Sequence, residues 1–97
     1  MSRTLFQPGK LVFTPGAGEA FTRNRELPSI FLSRHLKGDW GDVSKKDAEE
    51  NELSLRKGHR ILSAYKLQDR TRIWFITEAD RSSTTILLPD EYSNHLG

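Results

Sequence analysis

Hydrophobic residues in the first quarter of the chain predict a strand followed by a short helix. Residues 11–13 form an apolar run of the kind found in strands. Thr14 can cap a helix whose first residue is Pro15, because proline lacks the N–H that would be unsatisfied at that position. Residues 16–24 are therefore expected to form a short helix or turn, weakened by two glycines.

Two longer helices are expected next. Pro28 begins the first, and its apolar residues recur at helical spacing until Gly38, which predicts an end in the left-handed conformation. Ser44 and Asp47 have the spacing of a capping box, which predicts a helix over residues 45–57. That helix contains few apolar residues, so we expect it on the surface.

After Gly58 the pattern becomes typical of strands. The run 73–76 is apolar on both faces, which indicates a strand in the middle of a sheet. Polar turns separate the three predicted strands, which are residues 60–67, 71–77 and 83–88. The sequence thus predicts an α+β fold in the order β-α-α-α-β-β-β: a short N-terminal strand, two to three helices and a three-stranded antiparallel meander.

The length of 97 residues fits one domain, with residues 1–10 expected to be flexible and 11–92 to form the folded core. No apolar run approaches the length of a membrane span, and the N-terminus lacks the apolar stretch of a secretory signal, so we expect a cytoplasmic protein. The absence of cysteine excludes disulfides and cysteine-based zinc sites. The three histidines, His35, His59 and His95, are spaced too widely for a metal set, and no cofactor motif is present.

Charge is balanced along the chain, with 15 basic and 13 acidic residues and a net charge of +2. Such a small excess supports only weak attraction to phosphate. Weak binding of nucleic acid remains one alternative. The residues that it would use are Arg60, Arg70 and Arg72, with Tyr65 and Trp74 as stacking platforms.

The loop Gly38–Asp42 is the first candidate site. A Trp40 side chain between two glycines can project as an anchor for a partner, since tryptophan is enriched at binding hot spots. The alternative is that Trp40 folds back and packs the second helix against the sheet. Asp39 would supply charge complementarity to a partner in the first case.

The turn Glu78–Ser82 is the second candidate site, because it concentrates charged side chains at a predicted hairpin. Glu78, Asp80 and Arg81 can provide charge complementarity or acid–base groups. The alternative is that hairpin turns and solvated strand faces are polar in any case.

An enzymatic alternative uses a histidine with the arginines of the sheet. Small ribonucleases combine a base with a cation on the scissile phosphate, and His35 or His59 with Arg81 offers those groups. This reading rests on architecture alone, because the chain contains neither a phosphate-binding glycine-rich loop nor a nucleophile-elbow motif.

The strings Gly38-Asp39-Trp40-Gly41 and Thr77-Glu78-Ala79-Asp80-Arg81-Ser82, with shorter matches between His35 and Tyr92, resemble a family of small uncharacterised proteins of bacterial plasmids and integrated elements. Members are labelled plasmid-related proteins or type I restriction-modification subunits. The resemblance implies a mobile-element setting and supplies no catalytic residues. A chain of this length cannot contain both a cofactor-binding and a target-recognition domain, so the second label does not fit.

From these observations we expect a small interaction protein that acts by non-enzymatic binding, with a protein as its partner. An inhibitor of a host defence complex, of the anti-restriction or anti-CRISPR type, fits the mobile-element setting. The partner-binding residues expected are Asp39, Trp40, Glu78, Asp80 and Arg81.

Overall fold

A computed structural model describes residues 3–92, which form three helices and one four-stranded sheet. The strands are β1 (Lys10–Phe13), β2 (Ile61–Lys66), β3 (Arg72–Thr77) and β4 (Ser83–Leu87). The helices are α1 (Pro15–Asn24), α2 (Pro28–Leu36) and α3 (Lys45–Lys57), and a single 3₁₀ turn, Pro89–Glu91, follows β4. The α+β class and the strand-helix-helix-helix-strand-strand-strand order predicted from the sequence are confirmed.

The sheet is mixed, in the spatial order β1-β4-β3-β2. The pairs β2–β3 and β3–β4 are antiparallel, which is the predicted meander. β1 extends it by pairing in parallel with β4, Leu11 opposite Thr84 and Phe13 opposite Ile86. The three-stranded antiparallel meander is therefore only part of the sheet, because the N-terminal strand joins it and makes a mixed sheet of four strands. β3 is central, as its apolar run predicts.

The helix ends follow the capping residues. The Thr14 hydroxyl accepts a hydrogen bond from the backbone N–H of Ala17, and Ser44 accepts one from Asp47. These bonds satisfy backbone donors that the first turn of a helix leaves free. α3 ends at Gly58, whose φ of 72° is in the left-handed region that favours glycine.

The main core lies between one face of the sheet and the helices α1 and α2. Phe21 and Phe31 bring their rings to 5.9 Å, and Phe31 in turn lies 5.3 Å from Tyr65. Below them, Phe75 in β3 is fully buried. Buried apolar contacts of this kind are the dominant stabilising term. The cluster comprises Ala17, Ala20, Phe21, Phe31, Tyr65, Leu67, Ile73, Phe75 and Ile86.

α3 seals the outer edge of β2 with polar groups. The Asn51 side chain donates to the carbonyl of Leu62 at 2.7 Å and accepts from its N–H at 3.0 Å. Ala64 in turn bonds backbone to backbone with Trp40 and Asp42. Edge strands expose unpaired backbone groups that template aggregation, and here the chain itself occupies them.

The segment before β1, expected to be flexible, is held against the domain at several points. The Leu5 N–H donates to the Leu36 carbonyl at 2.7 Å, and the Pro8 carbonyl accepts from the Thr84 hydroxyl at 2.8 Å. No helix within residues 3–92 is long and apolar enough to cross a membrane.

Candidate functional site

The two candidate segments meet at the ring of Phe6. The Trp40 ring lies 6.4 Å from the Phe6 ring and nearly parallel to it, and the Arg81 guanidinium carbon lies 5.6 Å from the Phe6 centroid. The loop Gly38–Asp42 and the turn Glu78–Ser82 are therefore adjacent in space, joined by Phe6, which lies in the segment expected to be flexible.

Trp40 is packed into the protein, with only 6% of its surface exposed. Its ring approaches His35 edge-on at 6.2 Å, and its indole N–H donates to the Glu52 carboxylate at 3.1 Å. Of the two arrangements considered for Trp40, packing between the second helix and the sheet is the one observed. The indole is therefore not an exposed anchor for a partner.

Arg81 is occupied by backbone carbonyls. Its guanidinium donates to the carbonyls of Ser54, His59, Glu78 and Ala79 at 2.6–3.3 Å. These bonds tie the β3–β4 turn to the end of α3, and Arg81 itself has a φ of 61°, in the left-handed region that side chains other than glycine adopt rarely. Arg81 therefore holds the turn in position, and a partner would meet the residues around it.

Of the five residues expected to bind a partner, the three acidic ones, Asp39, Glu78 and Asp80, reach solvent. Asp39 accepts two hydrogen bonds from Arg34, at 2.7 and 3.3 Å, and this pairing lowers the pKa of its carboxyl group. Glu78 pairs with Arg60 at 3.2 Å. Asp80 forms no ion pair with any residue from 3 to 92. Hydrogen bonding with Ser82, first through its side chain and then through its N–H, lowers the pKa of Asp80, so it is negatively charged at neutral pH.

An exposed leucine precedes Phe6 in the chain. Leu5 is 51% exposed, and its side chain packs against Gly38, with 3.0 Å between Cδ1 and the position a Cβ would take. We use the term Phe6 surface for Leu5, Phe6, Asp39, Glu78 and Asp80. It includes both apolar and charged side chains, as protein-binding surfaces do.

Beneath the Phe6 surface, His35 is fully buried in a chain of hydroxyl groups. The Thr84 hydroxyl gives its single proton to the Pro8 carbonyl, so Thr77 must donate to Thr84 at 2.7 Å. Nε2 of His35 must then donate to Thr77 at 2.8 Å, while Nδ1 accepts from Ser63 at 2.5 Å. The direction of the chain fixes the Nε2–H tautomer.

Burial and, to a smaller extent, the nearby positive charge of Arg81 lower the pKa of His35 to about 3. The imidazole is therefore neutral at physiological pH, with both nitrogens engaged inside the protein. The His59 ring, by contrast, is exposed and bonds to no other described residue. The arrangement does not bring His35, His59 and Arg81 into one open group that a substrate could reach.

The residues considered for nucleic-acid binding are divided between the two faces of the sheet. Tyr65 is 2% exposed in the core, where burial raises its pKa to about 12. Trp74 lies on the opposite face, where it lines a cleft of about 150 Å³ together with Arg72, beside the start of α3. Asp42 and Asp47 also line this cleft, so its charge is mixed rather than basic. Among residues 3–92, no group of three metal-binding side chains occurs.

Some contributors to this site were missed from the sequence. Phe6 carries no local signal, because a single aromatic residue in a polar segment does not indicate where it packs. The hydroxyl chain did carry a signal: Ser63, Thr77 and Thr84 occupy strand positions whose neighbours two residues away are core residues. A polar residue on the core-facing side of a strand indicates a buried hydrogen bond.

Comparison with known proteins adds no relative. No family model matches the sequence, and neither the curated proteins nor the solved structures include a significant match. The mobile-element family stays a prediction from sequence resemblance.

Proposed function

We propose that this chain is a small interaction protein that binds another protein without catalysis, through the Phe6 surface. The observation that supports this most directly is the meeting of the two candidate segments at Phe6, next to the exposed side chain of Leu5. Rigid scaffolds that present loops and turns side by side are the usual carriers of binding function.

The chemistry of the surface favours a partner with an apolar contact and a nearby cation. Leu5 offers the apolar contact, and Asp80 offers a carboxylate that no described residue pairs. The exposed pairs Arg34–Asp39 and Arg60–Glu78 lie at the margin, where charges affect association rate and partner choice more than affinity. In the mobile-element setting, a host restriction or CRISPR complex is the first partner to test, with the protein as its inhibitor.

The binding surface can be tested with a photo-crosslinking residue at position 5 or at position 27. Leu27 is a matched control, because it is also exposed, at 63%. It lies at the N-terminal end of α2, whereas Leu5 contacts the C-terminal end. We expect a host protein to crosslink from position 5 and not from position 27. Asp80→Asn should weaken its capture, since asparagine keeps an oxygen for the Ser82 N–H but removes the charge.

The inhibitor function has its own test. Expression of the protein in a host with an active restriction or CRISPR system should raise the efficiency with which targeted DNA establishes itself. The double variant Leu5→Ser/Asp80→Asn should lose this effect, and Leu27→Ser should retain it. Equal crosslinking from both positions, or equal protection by all variants, would show that the Phe6 surface is not the binding site.

A further inference from the structure

The two edge strands of the sheet differ in whether their outward backbone groups are hydrogen-bonded. Along β2, Asn51 and the segment Trp40–Asp42 occupy the outward backbone groups. Along β1, none of residues 3–92 does so. Since exposed edges are a general liability, an edge left open beside a sealed one indicates a place for another strand.

Backbone direction identifies the open groups. The N–H groups of Lys10 and Thr14 donate to Ser82 and Ile86 at 3.0 Å, so residues 10, 12 and 14 face β4. Because a parallel strand alternates the side to which its backbone groups point, the N–H and C=O of Leu11 and Phe13 point away from the sheet. The side chains of both residues are 41% exposed on the helix-bearing face.

We propose that β1 pairs with β1 of a second copy, antiparallel, with Leu11 opposite Phe13 of the second copy. Both residues have outward backbone groups, so this register makes two reciprocal pairs and four N–H···O=C bonds. Val12 then faces Val12 of the second copy on a two-fold axis, and the two sheets join into one of eight strands.

The two neighbouring registers of the paired β1 strands would make fewer side-chain contacts or backbone hydrogen bonds. Moving Leu11 opposite Leu11 of the second copy places Phe13 against Gly9, which has no side chain to contact. Moving Phe13 opposite Phe13 places Leu11 against Pro15, which has no N–H to donate. The strand is therefore self-complementary in one register, which is what a two-fold interface requires.

The charges of β1 fit this register as well. Lys10 lies opposite the neutral Thr14 of the second copy rather than opposite a lysine. The two Lys10 residues are four positions apart along the paired strands, about 13 Å. That distance exceeds the screening length of about 8 Å at physiological salt, so their repulsion is weak. The remaining residues of the strand are apolar, which favours a second apolar strand as the occupant.

The oligomeric state tests the proposal directly. Sedimentation of the wild-type chain over about 1 µM to about 1 mM should show a transition from 11.1 kDa to twice that mass. Leu11→Pro removes an outward N–H without affecting the bonds to β4, and should raise the dissociation constant at least about tenfold. Leu27→Lys is the control, because it also changes an exposed leucine. It should leave dimerisation unchanged.

The register has a separate test that does not depend on stability. The chain has no cysteine, so a Val12→Cys variant carries a single thiol. Cα atoms of a non-hydrogen-bonded pair lie about 4.5 Å apart, within the range that a disulfide spans. Val12→Cys should oxidise to a covalent dimer much faster than Lys10→Cys, whose thiol would face Thr14.

Each alternative outcome is distinct. A wild-type chain that stays monomeric throughout the concentration range overturns the proposal, and so does equal oxidation of the two cysteine variants. If the chain is monomeric and Leu11→Pro still loses a protein partner, the edge receives a foreign strand instead of a second copy. Crosslinking from position 5 is independent of these results, so failure of the Phe6 surface and failure of the dimer are distinguishable.

Discussion

The buried His35 predicts a loss of stability in mild acid. A folded-state pKa of about 3, against 6.5 for an ordinary histidine, means that the unfolded chain takes up the proton first as pH falls. The free energy of unfolding is therefore unaffected by this group above pH 6.5 and decreases as pH falls from 6.5 toward 3. The slope approaches about 1.4 kcal/mol per pH unit, which gives a loss of about 2 kcal/mol between pH 7.5 and pH 5.

Urea denaturation at pH 7.5 and pH 5 measures this difference. A domain with a total stability of about 5–10 kcal/mol should show it as a clear shift of the midpoint. His35→Gln should be less stable at pH 7.5 but should lose the extra pH dependence, whereas the exposed-site control His59→Gln should keep it. A wild-type chain equally stable at both pH values, or a His35→Gln variant with unchanged pH dependence, would refute a neutral, enclosed imidazole.

Three further predictions concern the packing around the Phe6 surface and the sealed edge, and denaturant unfolding checks each. Trp40→Ala should cost about 3–5 kcal/mol through the cavity it leaves, and a near-neutral effect would contradict its burial. Gly41→Ala should cost about 2–4 kcal/mol, because Gly41 has a φ of 74° and a Cβ there would lie 2.0 Å from the Ala64 carbonyl oxygen. Asn51→Leu should cost about 2–4 kcal/mol, because it leaves both backbone groups of Leu62 unpaired. It should also increase aggregation. A variant as stable as the wild type would show that water replaces the amide.

Local sequence rules account for most of the elements. Thr14 and Ser44 cap helices at the positions expected, and Gly58 ends α3. The central position of β3 follows from its apolar run, because only a strand covered on both sides buries such a sequence. These features depend on neighbours within a few residues, which is why the sequence alone identifies them.

Contacts between residues far apart in the chain cannot be predicted from local sequence patterns. The parallel contact of β1 with β4 joins residues more than 70 positions apart, and no local pattern specifies it. The same limit applies to Phe6, whose partners Trp40 and Arg81 are distant in sequence. For Trp40, the glycines on either side allowed both an exposed and a packed ring. The hydrogen-bond acceptor at Glu52 and the rings of Phe6 and His35 favour the packed position.

The N-terminal segment links the two proposed surfaces and accepts the last hydrogen bond of the chain that begins at the buried His35. Leu5 and Phe6 belong to the Phe6 surface, the Pro8 carbonyl receives the last hydrogen bond of the His35 chain, and β1 begins at Lys10. Within residues 3–92, this segment is the covalent route from one surface to the other. A polar chain of fixed direction positions it more specifically than apolar packing would, because hydrogen bonds require defined partners and angles. The hydrogen bond from Thr84 to the Pro8 carbonyl therefore holds the middle of this segment, while separate backbone bonds, from Leu5 to Leu36 and from Lys10 to Ser82, hold its two ends.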